Sequence, residues 1–591
     1  MTKSHCLSIA FYCLVTIALN GQSGMLDPTF DGDGIVTRDI ASYDYGVGAV
    51  LQPDGKILTA VNTNGGTNGD FSVVRCLPDG TLDDSFGIGG VVLADRDISA
   101  ERAHALVLQP DGRIVVAGEA QVNGQYDFAV LRLLPDGTPD STFGINGWTI
   151  TDLGSTFEFP NCVALQSDGK IVMAGRVADG FNSNFGMARY TTEGELDTLF
   201  GVHGIVNTNI RDEDEATSII IEPDDQIILG GFSSVAASGD FTLVRYNTDG
   251  TLDKFFGNGG KVLTDLENTN GSDFIKALVR QPDGKIIAAG NANNVNIELT
   301  SDAGMVRYEE DGDLDMTFGI GGIYIVSLGS KTDIYGIALQ PNGKILLTGN
   351  SDVMGFEKRI LLARFRPEGG LDTTFGNQGI ITTGFTGDRE SASSVLVQPD
   401  SKIVVAGAQG SQSNYDLTLI RYIADFVLTA TVTPLVCFDV ADAVISIDAS
   451  GGVAPYTYSL NGGSFQESNV FNYLEAGTYT ITIKDSNGEG VTATYGPIEI
   501  TDIPAPPVVT VFADADSDQI LIEIEGNPDG YLYSIDGGDN FQSENLFTEL
   551  EDGLYKVVVI DLSGCIIHSE QVIISTLGIA TLRNDLPFIL S

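Results

Sequence analysis

The chain has 591 residues and is strongly acidic, with 80 Asp and Glu against 31 Lys and Arg and a formal net charge of −49. This length exceeds what a single hydrophobic core supports, so several domains are expected. A hydrophobic fraction of 42% excludes wholesale disorder. The negative charge excludes nucleic acid as a partner, because phosphate binding requires a positive surface.

The N-terminus has the layout of a secretory signal peptide. Lys3 and His5 precede an apolar run over residues 6–19, and small or polar residues follow it. The run is shorter than the roughly 20 apolar residues that span a bilayer. We therefore predict a signal peptide over residues 1–21, no transmembrane segment after its cleavage, and a secreted or cell-surface protein.

Residues 24–425 repeat one motif seven times. Each copy has a Leu-Asp-x-x-Phe-Gly phrase, a Gln-Pro-Asp-Gly-Lys turn and a run ending in Arg-Tyr. The turns are anchored roughly 57 residues apart, at Pro53, Pro110, Ser167, Pro223, Pro282, Pro341 and Pro399. Such regular self-similarity is typical of modular repeat architectures.

Each unit contains four short runs with the composition of strands. In the unit beginning at Leu82 these runs cover residues 90–93, 103–108, 113–118 and 127–132, and none shows helical periodicity. One four-stranded sheet cannot bury its own faces, but stacked sheets can, and units of this size are typical of propeller blades. We predict an all-β chain with a seven-bladed β-propeller. A linear β-solenoid is the alternative, although its coils are usually shorter.

Two charged positions recur in every unit. An arginine ends the last strand, and an aspartate opens the linker phrase. A ring of arginines could bind an anion around a channel. We favour a structural Arg–Asp pair in each unit, because guanidinium matches carboxylate in a bidentate way and equal seven-fold use suits a structural role. The positions are Asp27, Asp83, Asp140, Asp197, Asp253, Asp315 and Asp372, with Arg75, Arg132, Arg189, Arg245, Arg307, Arg364 and Arg421.

The repeated phrases resemble those of the delta-60 repeat family. The resemblance is carried by Leu82-Asp83-Asp84-Ser85-Phe86-Gly87 and by the stretch from Gln281 to Gly290, and it covers about two thirds of the chain. Ser167, Asp225-Gln226, Ser401 and Pro139 depart from the pattern and weaken only single turns. The resemblance implies an exported bacterial repeat protein, and the family brings no established reaction or catalytic residue.

The C-terminal third has a different pattern. Alternating short strands with Asn-Gly and Asp-Gly turns predict two small immunoglobulin-like β-sandwiches, over residues 428–503 and 507–575, joined by a Pro-rich linker. The first resembles the SprB-type repeats of adhesins in gliding bacteria, and the second does so less closely. The tail, residues 576–591, resembles the lead-in to a type IX secretion sorting domain, which implies type IX secretion as one route of export. The sorting domain itself is absent, and the alternatives are a truncated gene product and a tail with no sorting role.

Removal of the signal peptide would leave four cysteines. No spacing among them suits zinc, and Cys76 is expected to fill a core position. Each C-terminal sandwich holds one cysteine, Cys437 or Cys565, which excludes a bridge within either domain. A bridge between the domains is the alternative, and we favour two free thiols.

Residue types suited to catalysis or metal binding are scattered. His104, His203 and His568 lie in unrelated units, and we expect them in turns or at the surface. The run Asp514 to Asp518, with Glu525, has the spacing of an EF-hand loop, but Gln519 stands where that loop needs Gly, so calcium is disfavoured there. We predict no catalytic, cofactor-binding or metal-binding residue.

These observations predict an exported, non-enzymatic, monomeric scaffold for binding or adhesion, with an extracellular protein or glycan as partner. One alternative is a propeller enzyme acting on an extracellular polysaccharide or peptide, with a carboxylate site at the channel mouth, for which Glu213, Asp214 and Glu215 are the candidates. A purely structural spacer is the other. Function is expected where the repeats differ, as in residues 179–184, 233–239 and 291–301.

Overall fold

The computed structural model describes residues 13–19, 23–41, 43–63, 69–94, 96, 100–180, 182–235, 238–266, 271–293, 301–353, 357–385, 387, 389–411, 414–424, 426–450, 455–484, 492–514, 516–526 and 529–575. The chain divides into two compact units. The described residues from 23 to 424 form the propeller unit, and those from 426 to 575, with residues 13–19, form the C-terminal unit.

All regular secondary structure in the described ranges is β-strand. The first strands are β1 (Cys13–Leu19), β2 (Ile35–Arg38), β3 (Asp44–Leu51), β4 (Ile57–Thr63), β5 (Asp70–Cys76), β6 (Val91–Ala94), β7 (Glu101–Leu108), β8 (Ile114–Val122), β9 (Gln125–Leu133), β10 (Trp148–Thr151), β11 (Phe157–Leu165), β12 (Ile171–Asp179), β13 (Asn182–Tyr190) and β14 (Ile205–Thr208). The rest of the propeller unit has β15 (Glu213–Ile221), β16 (Ile227–Val235), β17 (Ser238–Tyr246), β18 (Lys261–Thr264), β19 (Phe274–Arg280), β20 (Ile286–Asn293), β21 (Ser301–Tyr308), β22 (Ile323–Val326), β23 (Thr332–Leu339), β24 (Ile345–Val353), β25 (Glu357–Phe365), β26 (Ile380–Thr383), β27 (Arg389–Val397), β28 (Ile403–Ser411) and β29 (Asn414–Tyr422).

The strands of the propeller unit pair antiparallel in groups of four. Among the described residues there are seven such groups: blade 1 (β3–β6), blade 2 (β7–β10), blade 3 (β11–β14), blade 4 (β15–β18), blade 5 (β19–β22), blade 6 (β23–β26) and blade 7 (β27–β29 with β2). Single parallel residue pairs, Tyr126 with Phe157 and Ser183 with Glu213, join blades 2, 3 and 4 at their edges. The prediction of an all-β propeller is confirmed.

The sequence repeat and the blade are out of phase by one strand. The run after each Leu-Asp-x-x-Phe-Gly phrase was expected to open a new sheet, yet β6 pairs with β5 and closes the preceding blade. The same shift brings β2, from the start of the unit, onto β29 near its end. The N-terminal strand therefore completes blade 7 and closes the ring through backbone hydrogen bonds.

Hydrophobic cores lie between neighbouring blades. Blades 1 and 2 share a cluster that includes Leu58, Phe71 and Val116, and blades 7 and 1 share one that includes Val74 and Leu419. The strands supply these clusters because both faces of each sheet are apolar, as shown by the nearly continuous burial of β8 and β20. Packing between blades therefore stabilises the ring.

The innermost strand of every blade contains a bulge. Each of the seven shifts register by one residue, as between Ala103 and Ala105 in β7 or Ile334 and Gly336 in β23. Glycine on the second strand makes room for it: a Cβ on Gly349 would lie 1.9 Å from the Asp333 carbonyl oxygen. The Ala-Gly that ends many of the Val/Ile-rich runs is thus required by close backbone approach.

Successive strands of each blade run antiparallel, so the connections between them lie at two different ends of the ring. The Pro-Asp-Gly turns and the linker phrases lie at one end, here called the turn end. The hairpins between second and third strands and the crossovers to the next blade lie at the other, the variable end. The connections at 179–184, 233–239 and 291–301 all fall at the variable end, although residues 181, 236–237 and 294–300 lie outside the described residues.

The C-terminal unit consists of two sandwiches. Its strands are β30 (Phe426–Thr433), β31 (Ala443–Ser450), β32 (Thr457–Leu460), β33 (Val470–Leu474), β34 (Gly477–Lys484), β35 (Thr492–Ile500), β36 (Val509–Asp514), β37 (Gln519–Ile524), β38 (Tyr531–Ser534), β39 (Leu546–Phe547), β40 (Gly553–Asp561) and β41 (Ile566–Ile574). Sheets β1-β30-β31-β33 and β32-β34-β35 enclose one core, and β36-β37-β39 and β38-β40-β41 enclose the other.

A disulfide joins the two sandwiches. Cys437 and Cys565 are bonded across 128 residues of sequence, with their Cα atoms 5.5 Å apart. The expectation of two free thiols was wrong, because the hairpin between β40 and β41 brings Cys565 to the segment that follows β30. Cys76 and Cys162 remain free and buried.

Two predicted segments fall largely outside the described residues. Of the predicted signal peptide, only Cys13–Leu19 is described, as a strand paired with β30. The predicted sorting tail, residues 576–591, is outside entirely. No helix in the described part of the chain has the length and apolar character needed to cross a membrane.

Candidate functional site

The repeated arginines and aspartates meet in pairs at the turn end. Each arginine ends the third strand of a blade, and its guanidinium lies 2.6 to 2.9 Å from the linker aspartate. The pairs are Arg75–Asp83, Arg132–Asp140, Arg189–Asp197, Arg245–Asp253, Arg307–Asp315, Arg364–Asp372 and Arg421–Asp27. Arg421–Asp27 spans the ring closure.

Each guanidinium has two further contacts. It lies over the phenylalanine of the linker phrase, 4.2 to 4.7 Å from the ring centroid. In six blades it also donates to a backbone carbonyl of the next blade, as from Arg75 to Pro135 at 2.6 Å and from Arg421 to Pro78 across the ring closure. The arginines are therefore occupied in joining strand, linker and neighbouring blade, and they offer no ring of free cations to an anion.

A second cation reaches the same aspartates, and the sequence did not reveal it. The basic residue after the Pro-Asp-Gly turn lies 2.8 to 3.4 Å from the aspartate in six blades, as Lys285 does from Asp315. In the remaining blade Gln226 donates to Asp253 at 3.5 Å. The sequence signal for this second contact is the Lys or Arg that recurs directly after the Pro-Asp-Gly turn.

These contacts hold the linker carboxylates ionised. Burial alone would raise the pKa of Asp83, but hydrogen bonds from Ser85 and the charges of Arg75 and Lys56 outweigh it and lower the pKa to about 2. The pKa of Asp372 is lowered to about 2 by the same kinds of contact, with Thr374, Lys344 and Arg364 opposing burial. The turn end is thus a structural network of ionised pairs.

The variable end carries a second set of repeated carboxylates, which sequence reasoning missed apart from Asp214. Six of the seven innermost strands carry an acidic residue that is at most 2% exposed at their first or second position or directly before it: Asp44, Glu101, Glu158, Asp214, Asp273 and Glu390. In Asp44 and Glu158 one oxygen accepts backbone N–H groups of the preceding crossover, from Ile40 at 2.6 Å and from Leu153 at 2.7 Å, respectively. The sequence signal for these buried carboxylates is an Asp or Glu that recurs two residues before the bulge of the innermost strand.

The proposed channel-mouth carboxylates separate in the structure. Asp214 is buried and accepts the N–H of Ile210 at 2.7 Å, whereas Glu213 is exposed. Glu215 accepts from the Asn161 amide of blade 3 at 3.1 Å. These three consecutive acids therefore do not converge on one point.

A cluster of aromatic side chains breaks the seven-fold pattern at the variable end. We call Tyr43, Tyr45, Tyr126, Tyr335, Tyr415 and Arg102 the tyrosine surface. The Tyr415 ring centroid lies 5.1 Å from that of Tyr43 and 6.0 Å from that of Tyr45, both edge to face. Arg102 lies over the Tyr126 ring at 5.6 Å. The cluster joins blades 7, 1 and 2 through exposed and half-buried groups.

Blade 6 contributes the remaining tyrosine. Tyr335 is 37% exposed. Burial raises the pKa of the Tyr335 hydroxyl, and the nearby Asp333 and Tyr45 raise it further. The Tyr45 hydroxyl donates to Ser391 of blade 7 at 3.0 Å. By contrast, the positions equivalent to Tyr415 in blades 3, 4 and 5 hold Ser183, Gly239 and Ser301. Among the described residues the clustered tyrosines are therefore specific to one side of the ring, whereas blades 4 and 5 carry a phenylalanine pair, Phe232 and Phe274, with ring centroids 4.6 Å apart.

A histidine–carboxylate pair adjoins this surface. His104 was expected in a turn or at the surface, and it is half-buried on the innermost strand β7, where its Nε2 is 3.8 Å from Oε2 of the buried Glu119. Arg102 approaches the other Glu119 oxygen at 3.2 Å. His203, at φ 55°, does occupy a turn. His104 is thus the one histidine of the propeller unit placed beside other polar groups of the variable end.

The acidic run near residue 514 forms the hairpin between β36 and β37. Asp514 accepts the N–H of Asp516 at 2.9 Å and the hydroxyl of Ser517 at 2.6 Å. Its carboxylate is thereby engaged in its own turn. The prediction that calcium does not bind at this loop stays a prediction.

The Cys76 and Cys162 thiols are unsuited to chemistry. Burial raises the pKa of each to about 12, so the reactive thiolate is suppressed.

Family models match both parts of the chain. The family described as "Domain of unknown function (DUF5122) beta-propeller" matches residues 52–86, 109–143, 166–200, 222–256, 281–318 and 340–375. The SprB repeat matches residues 429–465. No curated protein matches the chain.

Solved structures of polysaccharide-degrading enzymes align with part of this chain at low similarity. The polysaccharide lyase Uly1 is 9% identical at a TM-score of 0.40, covering 70% of this chain and 99% of its own. A PL25 ulvan lyase bound to -[GlcA(1-4)Rha3S]- is 11% identical at 0.34, covering 66% and 96%. A GH43 endo-arabinanase from Bacillus licheniformis is 12% identical at 0.27, covering 44% and 92%. Similarity this low gives no argument about activity.

The phrases that form the turn-end network are the ones the DUF5122 model spans, and the SprB match begins within β30. The chain therefore carries β-propeller repeats of the delta-60 type, followed by a SprB repeat.

Proposed function

We propose that this protein is an exported binding scaffold that holds an extracellular glycan or protein on the tyrosine surface. The observation that carries the proposal is the restriction of clustered tyrosines to blades 6, 7, 1 and 2, at the variable end of an otherwise seven-fold ring. A structural role would be expected to recur in every blade, as the Arg–Asp pairs do. A binding surface need not recur.

The chemistry of the tyrosine surface suits recognition. Tyrosine offers a flat apolar face with a hydroxyl at its edge, and it loses little conformational entropy on binding. Tyr43, Tyr126 and Tyr415 are half-buried, so their rings are already positioned, and Arg102 adds a cation in an otherwise acidic protein. Sugar rings and protein side chains both stack on such groups.

The remaining features support a location outside the cell. The apolar N-terminal run, the SprB repeat and the disulfide between Cys437 and Cys565 all suit an exported chain, because disulfides persist in oxidising compartments. The propeller would present the binding surface, and the sandwiches would act as a spacer or as adhesive modules.

The test is binding of the purified chain to arrays of polysaccharides and of bacterial surface proteins. Tyr43→Ala with Tyr415→Ala should weaken any binding at least about ten-fold, since hot-spot aromatic residues contribute about 2 kcal/mol or more. Tyr473→Ala is the control, because Tyr473 is 84% exposed in the C-terminal unit. Binding that is unchanged in the double variant would contradict the proposal.

A second candidate function is catalysis on an extracellular polysaccharide. It is favoured by one observation, the His104–Glu119 pair beside Arg102, which could move a proton at the edge of the tyrosine surface. Turnover of a polysaccharide library by the native chain, and its loss in His104→Gln with binding retained, would select this function over binding alone.

A further inference from the structure

Among the described residues, two junctions between blades carry the same cluster of three carboxylates. Asp127, Asp152 and Glu158 meet where blade 2 adjoins blade 3, and Asp39, Asp44 and Asp416 meet where blade 7 adjoins blade 1. In each cluster the carboxylate oxygens that face one another lie within 4.8 Å. No ion pair to any of these six residues is present in the described part of the chain.

The two clusters occupy equivalent positions in the fold. Asp127 and Asp416 lie near the start of the third strand of their blades. Asp152 and Asp39 directly follow the outermost strand. Glu158 and Asp44 are the buried acids of the next innermost strand. The topology of the ring thus builds the same arrangement twice, from residues that are far apart in sequence in the second case.

Each cluster contains a fully buried carboxylate with one oxygen unsatisfied. Glu158 is 0% exposed, and while Oε1 accepts the Leu153 N–H, Oε2 has no hydrogen-bond partner among the described residues. Asp44 is also 0% exposed. Its Oδ2 accepts from the N–H groups of Ile40 and Ala41, and its Oδ1 has no hydrogen-bond partner among the described residues. An unpaired buried carboxylate oxygen beside two more carboxylates is costly unless a cation balances it.

Other junctions show that a basic residue of the chain itself can balance this charge. Between blades 6 and 7 the equivalent positions hold Arg359, Gly384 and Glu390. A Cβ on Gly384 would lie 1.5 Å from the Arg359 guanidinium, so the arginine occupies the space that the crossover aspartate fills elsewhere. Between blades 4 and 5, Asp240 is paired with Arg211 at 2.6 Å.

We propose that the Asp127–Asp152–Glu158 and Asp39–Asp44–Asp416 clusters each bind one calcium ion. The donors are all carboxylate oxygens, which hard cations prefer, and zinc or copper would call for nitrogen or sulfur. Calcium accepts six to eight oxygens in flexible geometry, so water and nearby carbonyl groups can complete the shell. Asp152 and Asp39 are exposed and give the ion access.

Bound calcium would tie each crossover to the two blades that it connects. At the second cluster it would also fix Tyr43 and Tyr415, the chain neighbours of Asp44 and Asp416, within the tyrosine surface. The calcium proposal does not depend on the proposed function, because it concerns ion binding and stability alone.

The experiment is calorimetric titration of the full chain with calcium chloride after treatment with chelator, together with thermal unfolding. We expect two calcium ions bound and a rise of a few degrees in the melting temperature of the propeller, because a ligand specific to the native state stabilises it. Sodium chloride at equal ionic strength should not reproduce the rise.

Substitutions in the first cluster test whether its carboxylates bind one of the calcium ions. Asp127→Asn with Asp152→Asn should bind one ion fewer. Asp127→Arg with Asp152→Gly copies the junction between blades 6 and 7, and it should bind one ion fewer while remaining stable in chelator. The charge-matched control is Asp84→Asn with Asp313→Asn, two exposed acids in linkers, which should bind as the native chain does.

Three outcomes would overturn the proposal. The first is no binding and no calcium-dependent shift in the native chain. The second is unchanged stoichiometry in the Asp127 and Asp152 variants. The third is stabilisation by mild acid without any response to calcium, which would assign the clusters to a shared proton.

Discussion

Six of the seven linker aspartates of the propeller accept from two cations and from their own turn, and Asp253 accepts from Arg245 and Gln226. Asp315 has Arg307 at 2.6 Å and Lys285 at 2.8 Å, and its other oxygen accepts the Thr317 hydroxyl at 2.6 Å. The three partners come from the third strand, the Pro-Asp-Gly turn and the linker. One buried carboxylate therefore connects three segments of the chain, which explains why the same residue types recur in every unit.

Replacing this carboxylate should be costly. Asp315→Asn leaves Arg307 and Lys285 without their anion, and we expect a loss of about 3 kcal/mol in the free energy of unfolding of the propeller, as for other broken buried pairs. Denaturant unfolding followed by tyrosine fluorescence measures it. Asp313→Asn, two residues away and exposed, is the matched control. Equal stability of the two variants would contradict a structural role for the pair.

The innermost strands show how an element accommodates ring geometry. All seven contain a bulge, and in six the residue paired beside it on the second strand is glycine. Blade 1 reverses the arrangement, with Val61 on the second strand and Gly46 on the first. Close approach of the two backbones is therefore retained although the glycine changes strand.

A methyl group at this position should destabilise the blade. In Gly349→Ala the new Cβ would lie 1.9 Å from the Asp333 carbonyl oxygen, so the bulge must shift, at an expected cost of about 2 kcal/mol. Thermal unfolding of the propeller measures the change. Gly239→Ala is the control, because its nearest contact would be 3.5 Å away. A Gly349→Ala protein as stable as the control would show that the bulge is not constrained by this contact.

At the scale of the whole molecule, both compact units are held by links between distant parts of the chain. β2 closes the propeller by pairing with β29, and Arg421 joins Asp27 across 394 residues. In the C-terminal unit, the disulfide spans 128 residues. The disulfide persists when the chain unfolds, so it restricts the unfolded state and stabilises the folded one, whereas the strand pairing and the ion pair act only through their contacts in the folded state.

The disulfide should stabilise the C-terminal unit selectively. Cys437→Ser with Cys565→Ser should reduce the stability of that unit by about 2–4 kcal/mol through the released chain entropy. The propeller transition should not move, because its own cysteines, Cys76 and Cys162, are not bridged. Differential scanning calorimetry with and without reductant measures both effects. A native chain insensitive to reductant would contradict the prediction.

The sequence by itself determined the all-β propeller, because strand periodicity, turn residues and a regular repeat are local properties. Arg307 and Asp315 are eight residues apart, so their contact also depends on local spacing. Tertiary structure alone decided which strands share a blade, how Cys437 and Cys565 pair, and where the tyrosine surface and carboxylate clusters form. Tyr45 and Ser391, 346 residues apart, meet only when the ring closes. Contacts between blades depend on which strands pair, on the register of that pairing and on which blades adjoin. The sequence of a single repeat does not contain this information.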